Sequence, residues 1–492
     1  MSKKVPEAVD SKANIRQQAA RGAVATLIGQ AARFLIQLAG IIALSRILGP
    51  TAVGLFATLA VIVGLGELLR DFGLSSAVIQ AENVTKSQST NLFWVNTCLG
   101  LGLAAVCAAF APLVAKFYGE AQLTMACVAI GSVFAFGGIG TQFRAQLSRN
   151  LKFTTIAVID VISPLVGLVA GVAVALANGG FWALVVQQIT VSLVAMVLVV
   201  IASSWVPGLP VRGVEMRALI TFGWNVGCTQ LVNFVSKNLD TVVIGRFFGA
   251  EQLGLYNRAY QLLTVPLTQL STPATKVAFP VLSRLRGDPE RYVKYLLSGQ
   301  QSLLHVVLFF FTYTIAVAPQ MIEIALGSEW SGVVPIYQIL AVSGLVQTAS
   351  YATYWVFLSE GLTGSSLRFT LLSRSCLIAC VLIGSMWGVT GVAAGYTIAI
   401  VVAWPCGLWW LKRASASAPV GLMGSNAIRI FVIYVVAGVC AYGVSRVVLG
   451  TWVTIGVSLI VYLAFLGCAV AAVPSFRSDL RTIYSFRTMV RV

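Results

Sequence analysis

The sequence predicts an all-α membrane protein with about 14 transmembrane helices. Of its 492 residues, 58% are apolar and 10% are charged, whereas soluble domains average about 45–50% apolar and 25% charged residues. The mean hydropathy is +0.88. A surface of this composition suits lipid rather than water, and no polar stretch is long enough to form a large extramembrane domain. The composition therefore excludes a soluble protein.

Fourteen apolar segments are long enough to cross a bilayer, which takes about 20 helical residues. The first of them is too long to be a cleaved signal peptide, so we expect it to be the first span. An even number of spans places both termini on one side of the membrane. The predicted spans are 22–48, 51–69, 90–114, 123–142, 153–177, 181–203, 219–247, 255–280, 296–318, 333–358, 367–386, 389–411, 427–449 and 452–473.

The distribution of Lys and Arg predicts the orientation, because these residues are enriched in cytoplasmic loops. With the N-terminus inside, 24 of the 33 Lys and Arg residues fall in inner segments and five in outer segments. The net charge of +17 is thus explained without nucleic acid as a partner. We expect both termini to be cytoplasmic.

The two halves of the chain share a pattern at an offset of 200 residues, without a gap. Each copy lies at the outer turn between the first two helices of a six-helix unit, which indicates a duplication of the kind common in transporters. Gln30 and Phe34 also recur, as Gln230 and Phe234. The repeated blocks are Arg46-Ile-Leu-Gly49 with Gly54-Leu-Phe56, and Arg246-Phe-Phe-Gly249 with Gly254-Leu-Tyr256.

The repeat divides the chain into two six-helix lobes related by a pseudo-two-fold axis, followed by two extra C-terminal helices. In the final tail, Phe476, Leu480 and Ile483 share a helical face, which suits either a short helix on the inner leaflet or a solvated end. The predicted parts are a cytoplasmic tail (1–19), an N-lobe with spans 1–6 (20–204), a cytoplasmic linker (205–218), a C-lobe with spans 7–12 (219–413), spans 13–14 (414–473) and a cytoplasmic basic tail (474–492).

One block resembles the central signature of the Wzx-type polysaccharide transporters. These belong to the same superfamily as the MATE exporters and the peptidoglycan-precursor flippase. The block is Asn238-Leu-Asp240-x3-Ile244-Gly245-Arg246-x2-Gly249-x4-Gly254-Leu-Tyr256-x2-Ala259-Tyr260. Similar landmarks are Leu48-Gly-Pro50-x3-Gly54-Leu-Phe56, Phe72-Gly-Leu-x2-Ala77-Val-Ile-Gln80 and Gly179-Gly-Phe-Trp182-Ala-Leu184.

The resemblance, which covers roughly residues 20–411, implies two lobes around a central cavity and alternating access. The implied cargo is an undecaprenyl-pyrophosphate-linked sugar repeat unit, flipped from the inner to the outer leaflet of a bacterial inner membrane. The full signature and the 14 spans point to the exopolysaccharide branch, the colanic-acid exporter type. We expect a monomer among membrane lipids, with other polysaccharide-assembly membrane proteins as candidate partners and no nucleic acid.

Four cations at bilayer depth are candidates for binding the pyrophosphate. An ionisable group there costs about 2.5–3.5 kcal/mol on insertion scales, so its presence indicates a function. Arg33 and Lys237 lie in corresponding helices of the two repeats and are the stronger pair. Lys276 and Arg374 lie nearer the inner ends, where they could instead extend to lipid phosphates.

Three acids within spans are candidates for coupling transport to H⁺ or Na⁺: Asp160, Asp240 and Glu67. A carboxylate in a cavity of low polarity can bind either ion. Asp240 has an alternative role as the ion-pair partner of Lys237, three residues earlier. Asp160 has no cation within one turn of sequence, so it is the clearer candidate.

The remaining reactive residues predict neither a metal site nor a cofactor. His305 is the only histidine, and we expect it to be hydrogen-bonded in the core rather than to relay protons. The nine cysteines lie almost entirely in apolar runs without a CxxC pair, as small core residues do. A coupling ion, H⁺ or Na⁺, is the only small partner expected besides the cargo.

Two other functions fit the sequence less well. A polysaccharide polymerase or ligase needs catalytic groups on a sizeable outer loop, and the outer loops here are short. The chain is therefore not expected to be an enzyme. A MATE-like antiporter of cationic drugs usually has an acidic cavity, whereas four intramembrane cations favour an anionic cargo.

Overall fold

The computed structural model describes residues 7–71, 85–213, 217–415, 417–448 and 450–480, with the backbone alone at 7–25, 27, 217–226, 228, 229 and 232. Throughout this part the regular structure is helical, without strands. The all-α polytopic fold predicted from the composition is confirmed.

In the first half of the chain, the residues that the structure describes form eight helices. α1 is 41 residues long, which corresponds to about 60 Å at 1.5 Å per residue, so part of the predicted N-terminal tail continues the first span as helix. The bounds are α1 Glu7–Ile47, α2 Pro50–Asp71, α3 Lys86–Tyr118, α4 Gln122–Ile130, α5 Ser132–Arg149, α6 Phe153–Leu176, α7 Trp182–Ala202 and α8 Arg217–Phe247.

The second half forms eight more, with short 3₁₀ turns at Leu285–Gly287, Ser328–Trp330 and Ser385–Trp387. The bounds are α9 Gly249–Arg284, α10 Pro289–Ala316, α11 Ala318–Leu326, α12 Val333–Ser359, α13 Thr363–Gly384, α14 Gly388–Ala414, α15 Val420–Val447 and α16 Thr451–Ala472. Residues 474–480 are also helical.

Eleven candidate membrane spans are found among the described residues, by length and composition. One of them, Thr363–Ala414, contains both α13 and α14. α8 and α9 are not among these candidates. Each of the 14 predicted segments coincides with helical residues, but 14 crossings remain a prediction.

By their contacts the residues group into two compact units, Met1–Gly254 and Leu255–Val492. α8 belongs to the first unit because it packs on α2. At that contact a Cβ on Gly64 would lie 2.7 Å from Cε2 of Phe234, so only glycine leaves room for the ring. The predicted lobe boundary at 205–218 lies before α8, whereas the contacts place the division within α9.

The core of the first unit lies between α2, α3, α4, α5 and α7. Leu59, Ile130 and Val185 are fully buried there, and Phe134 packs among them. Gly66 lies directly against the Phe134 ring. These contacts fix the C-terminal half of α2 against α5. Both helices line the cavity described below.

In the second unit, α15 and α16 pack against α10 through buried hydroxyl groups. The Tyr462 hydroxyl is 2.8 Å from Thr312 Oγ1 and donates to the carbonyl of Phe309 at 3.1 Å. Tyr313 donates to the carbonyl of Ile455 at 2.8 Å. Ser445 of α15 donates to the carbonyl of Ala316 on α10 at 3.0 Å. Burial requires such groups to be hydrogen-bonded, so these contacts fix both α15 and α16 to α10.

The helical segment 474–480 also packs on this unit. Phe476 is 1% exposed and lies against the rings of His305 and Tyr434, 5.2 and 5.9 Å away. Asp479 is 5% exposed and accepts hydrogen bonds from Arg429 at 2.7 and 2.8 Å and from Gln301 at 3.1 Å. Phe476 therefore contacts protein, which differs from the predicted lipid-facing helix; Ile483 lies outside the described residues.

Candidate substrate cavity

A cavity of about 360 Å³ lies in the first unit between α2, α5 and α6. It is at the predicted inner end of these helices. Two arginines and two hydroxyl groups line it beside apolar side chains, so it can bind an anion and hydrogen-bond a polar group. The lining residues are Arg70, Asp71, Thr141, Arg144, Ala145, Ser148, Phe153 and Ile156.

Arg144 and Asp160 form a bidentate ion pair at this cavity. Arg144 donates from Nη1 to Oδ1 of Asp160 at 2.7 Å and from Nη2 to Oδ2 at 2.8 Å. Asp160 is half-buried on α6, and Arg144 is exposed on α5. Asp160 has no cation within one turn of sequence, but the tertiary fold supplies one from 16 residues away. Its charge is therefore balanced in this state.

Arg70 and Arg144 were both predicted to lie in inner segments, so neither was predicted as a site residue. The guanidinium of Arg70 is the more enclosed of the two. Its guanidinium packs directly against Gly137 of α5, where a Cβ would collide with Nη1. The Nε atom is buried without a hydrogen-bond partner among the described residues. The Gly137-Gly138 pair could have indicated this contact from the sequence. Two glycines without side chains leave space on a helix surface for a large side chain from a neighbouring helix.

Glu67 and Asp71 are close enough to Arg70 to attract it electrostatically. Glu67 is exposed, one turn before Arg70 on α2. The structure thus brings two predicted coupling acids, Glu67 and Asp160, to the neighbourhood of two arginines. It is a mixed cluster of charges rather than an isolated carboxylate.

Arg33 and Lys237 occupy equivalent polar faces of α1 and α8. Residues 30, 33 and 37 are Gln, Arg and Gln, and residues 230, 233 and 237 are Gln, Asn and Lys. This spacing places each set on one helix face. Both cations are exposed. When the two repeats are aligned, Lys237 corresponds to position 37. The two cations therefore lie one helical turn apart on equivalent faces.

Asp240 is 4% exposed on α8, and its carboxylate accepts a hydrogen bond from the Thr241 amide at 2.8 Å. It is three residues from Lys237, but Lys237 is exposed whereas Asp240 is buried. The ion pair between Lys237 and Asp240, given above as an alternative role for Asp240, stays a prediction.

In the second unit, Lys276 is exposed on α9 and Arg374 is half-buried on α13. Ala274 and Val277, on either side of Lys276 in α9, line an apolar groove of about 350 Å³ with Trp355 of α12. The Nε1 atom of Trp355 donates to Thr275 Oγ1 at 2.9 Å. Lys276 therefore lies beside a surface suited to a hydrocarbon chain.

His305 has the predicted hydrogen-bonded core position: its Nδ1 is 3.0 Å from the Tyr434 hydroxyl, and the residue is buried. Every described cysteine is free, and Cys228 lies outside the described side chains. Within the described ranges, no group of three His, Cys, Asp or Glu residues is arranged to hold a metal ion.

Comparisons with known proteins agree with the resemblance. The model of a polysaccharide biosynthesis protein family matches residues 43–335. The teichuronic acid biosynthesis protein TuaB of Bacillus subtilis (strain 168) is 26% identical over 77% of this chain and 79% of its own length. The lipopolysaccharide biosynthesis protein WzxC of Escherichia coli (strain K12) is 24% identical over 73% of this chain and 74% of its own.

Among solved structures, the lipid II flippase MurJ in an inward closed conformation matches with a TM-score of 0.69 at 12% sequence identity. The match covers 91% of this chain and 99% of that one. At this identity it supports the fold alone. It is the fold that the sequence resemblance implied.

Proposed function

Because the chain belongs to the polysaccharide biosynthesis protein family, we propose that it is a transporter that flips a lipid-linked sugar repeat unit. The cargo is an undecaprenyl-pyrophosphate-linked unit, moved from the inner to the outer leaflet of a bacterial inner membrane for exopolysaccharide assembly. Two relatives are named for the biosynthesis of teichuronic acid and lipopolysaccharide. The structural neighbour is named a lipid II flippase, which also favours a transporter over an enzyme.

The observation that carries the proposal is the cavity of Arg70 and Arg144. A buried guanidinium donor without an acceptor is costly, and a pyrophosphate supplies acceptors that match its geometry. The hydroxyls of Thr141 and Ser148 can bind the same headgroup. Arg33 and Lys237, exposed on their repeat-related faces, provide further cations for the pyrophosphate, and Lys276 and Arg374 do so in the second unit.

The Arg144–Asp160 pair offers a route to ion coupling. A pyrophosphate that binds Arg144 competes with Asp160 for the same N–H donors. Once Arg144 turns to the cargo, Asp160 is a partly buried carboxylate without its cation, which favours the binding of H⁺ or Na⁺. The binding of the cargo and the binding of the ion would then be linked through Arg144, so that each changes the protein's affinity for the other. Asp240 and Glu67 are the alternative coupling acids.

Flipping of a fluorescent polyprenyl-pyrophosphate saccharide in proteoliposomes tests the proposal. We expect the parent protein to flip it and Arg70→Gln to slow flipping about tenfold or more, since one hydrogen bond to a charged group contributes about 1.5–3 kcal/mol. Arg212→Gln is the control, because Arg212 is an exposed arginine outside the cavity. Equal flipping with empty liposomes would overturn the function, and equal flipping by the Arg70 variant would remove this cavity from it.

A further inference from the structure

Arg258 on α9 is a buried cation without a carboxylate. The residue is 4% exposed. Its Nη1 donates to Oε1 of Gln261 at 2.7 Å, and its guanidinium carbon lies 5.9 Å from the centre of the Trp330 ring. The Nε atom is buried and has no hydrogen-bond partner among the residues that the structure describes. Within the part of the chain that the structure describes, no acidic group pairs with it.

This environment is incomplete for an arginine. A guanidinium remains charged in proteins and carries five N–H donors. Buried charges are normally paired, because an unpaired one costs several kcal/mol. One amide oxygen and one aromatic ring satisfy Arg258 only in part, so an anion that supplies two acceptor oxygens would complete the site.

The residue that covers Arg258 belongs to a short turn. Trp330 is 1% exposed and ends the 3₁₀ turn Ser328–Trp330. Gly327, with a φ of +105°, precedes the turn. Gly332 follows it and leaves no room for a Cβ, which would lie 2.8 Å from Cδ1 of Leu255 on α9. Displacement of this turn would expose the guanidinium without a change in α9.

We propose that Arg258 and Gln261, covered by Trp330, form a second anion site that receives the pyrophosphate of the carried lipid at the predicted outer end of α9. The chemical class is a phosphate-type oxyanion bound by the guanidinium fork, with the Trp330 ring displaced. This inference rests on the proposed function for the identity of the lipid. It gives the cargo a second binding site, separate from the cavity of Arg70 and Arg144.

The test uses the purified full chain in detergent and measures its thermal unfolding with added sodium pyrophosphate at constant ionic strength. We expect Arg258→Met to lose at least half of the pyrophosphate-induced rise in melting temperature. We also expect its melting temperature without ligand to equal or exceed that of the parent, because an unpaired buried charge has been removed. Arg446→Gln is the control: an exposed arginine at the predicted outer end of α15.

A full pyrophosphate response in Arg258→Met would overturn the site. If that variant does not fold, Trp330→Ala decides, since it uncovers Arg258 and should lower the half-saturating pyrophosphate concentration several-fold. An unchanged concentration would overturn the site as well. A second arm adds phosphatidylglycerol: stabilisation by this lipid that needs Arg258, without any by pyrophosphate, would overturn the assignment to the carried lipid. None of these measurements depends on flipping. Failure of the Arg258 site can therefore be distinguished from failure of the proposed function.

Discussion

Gly54 and Gly254 pack backbone against backbone, and each occupies in one repeat the place that the other occupies in the next. A Cβ on Gly54 would collide with the carbonyl of Ala250, and a Cβ on Gly254 would collide with the carbonyl of Pro50. Each Cβ would also lie about 3 Å from the other glycine's amide nitrogen, at 2.9 and 3.1 Å. The contact is reciprocal across the 200-residue offset.

The first prediction follows from this contact. Gly54→Ala or Gly254→Ala should lower the free energy of unfolding by about 1–3 kcal/mol, the usual cost of overpacking, because the obstacle is a backbone carbonyl that cannot rotate away. Thermal unfolding measures it. The matched control is Gly102→Ala in α3, where a Cβ meets no atom within 4 Å and should be neutral or stabilising. Equal stability of all three variants would contradict the reciprocal contact.

The second prediction concerns Arg33 and Lys237. If both bind the pyrophosphate, replacing either with Ala should reduce polysaccharide export at least tenfold while the protein remains in the membrane. Arg33→Lys should restore export only in part, because lysine keeps the charge and loses the bidentate fork. Leu35→Ala, at an exposed position of α1 outside that polar face, is the control. Normal export by the double variant would exclude both residues from the site.

The third prediction concerns the pair of Arg144 and Asp160. Asp160→Asn should preserve cargo binding and abolish the response of flipping to an imposed H⁺ or Na⁺ gradient, because the amide cannot exchange a proton or bind the cation as a carboxylate does. Proteoliposomes with and without the gradient give the measurement. Asp288→Asn, at an exposed helix N-cap, is the control. A parental response would leave Asp160 a structural partner of Arg144 and make Asp240 the next candidate.

The fourth prediction is the topology. In a cysteine-free background, single cysteines at Thr51 and Ser328 should react with an impermeant thiol reagent in intact cells, whereas those at Ser87 and Asp288 should react only after lysis. The strong bias of basic residues to one side is the reason. Labelling at Asp288 in intact cells would refute the orientation.

The sequence was sufficient for features that depend on composition and period. The apolar runs predicted helices at the observed places, and the 200-residue offset predicted the equivalence that Gly54 and Gly254 display. The partners of individual charges were not predictable. Arg144 meets Asp160 only because α5 and α6 pack side by side, and Arg70 becomes a cavity residue only because Gly137 on another helix admits it. Such pairings depend on tertiary contacts that no local pattern records.

The packing of segment 474–480 has a consequence for biogenesis. Chains are made from the N-terminus, so Phe476 and Asp479 leave the ribosome after every helix that they contact. Until then Arg429 lacks the carboxylate that it pairs with, and the rings of His305 and Tyr434 lack their cover. The groups that complete the packing of α10 and α15 are thus synthesised after both helices, and a chain arrested before residue 476 leaves Arg429 without its carboxylate and the rings of His305 and Tyr434 uncovered.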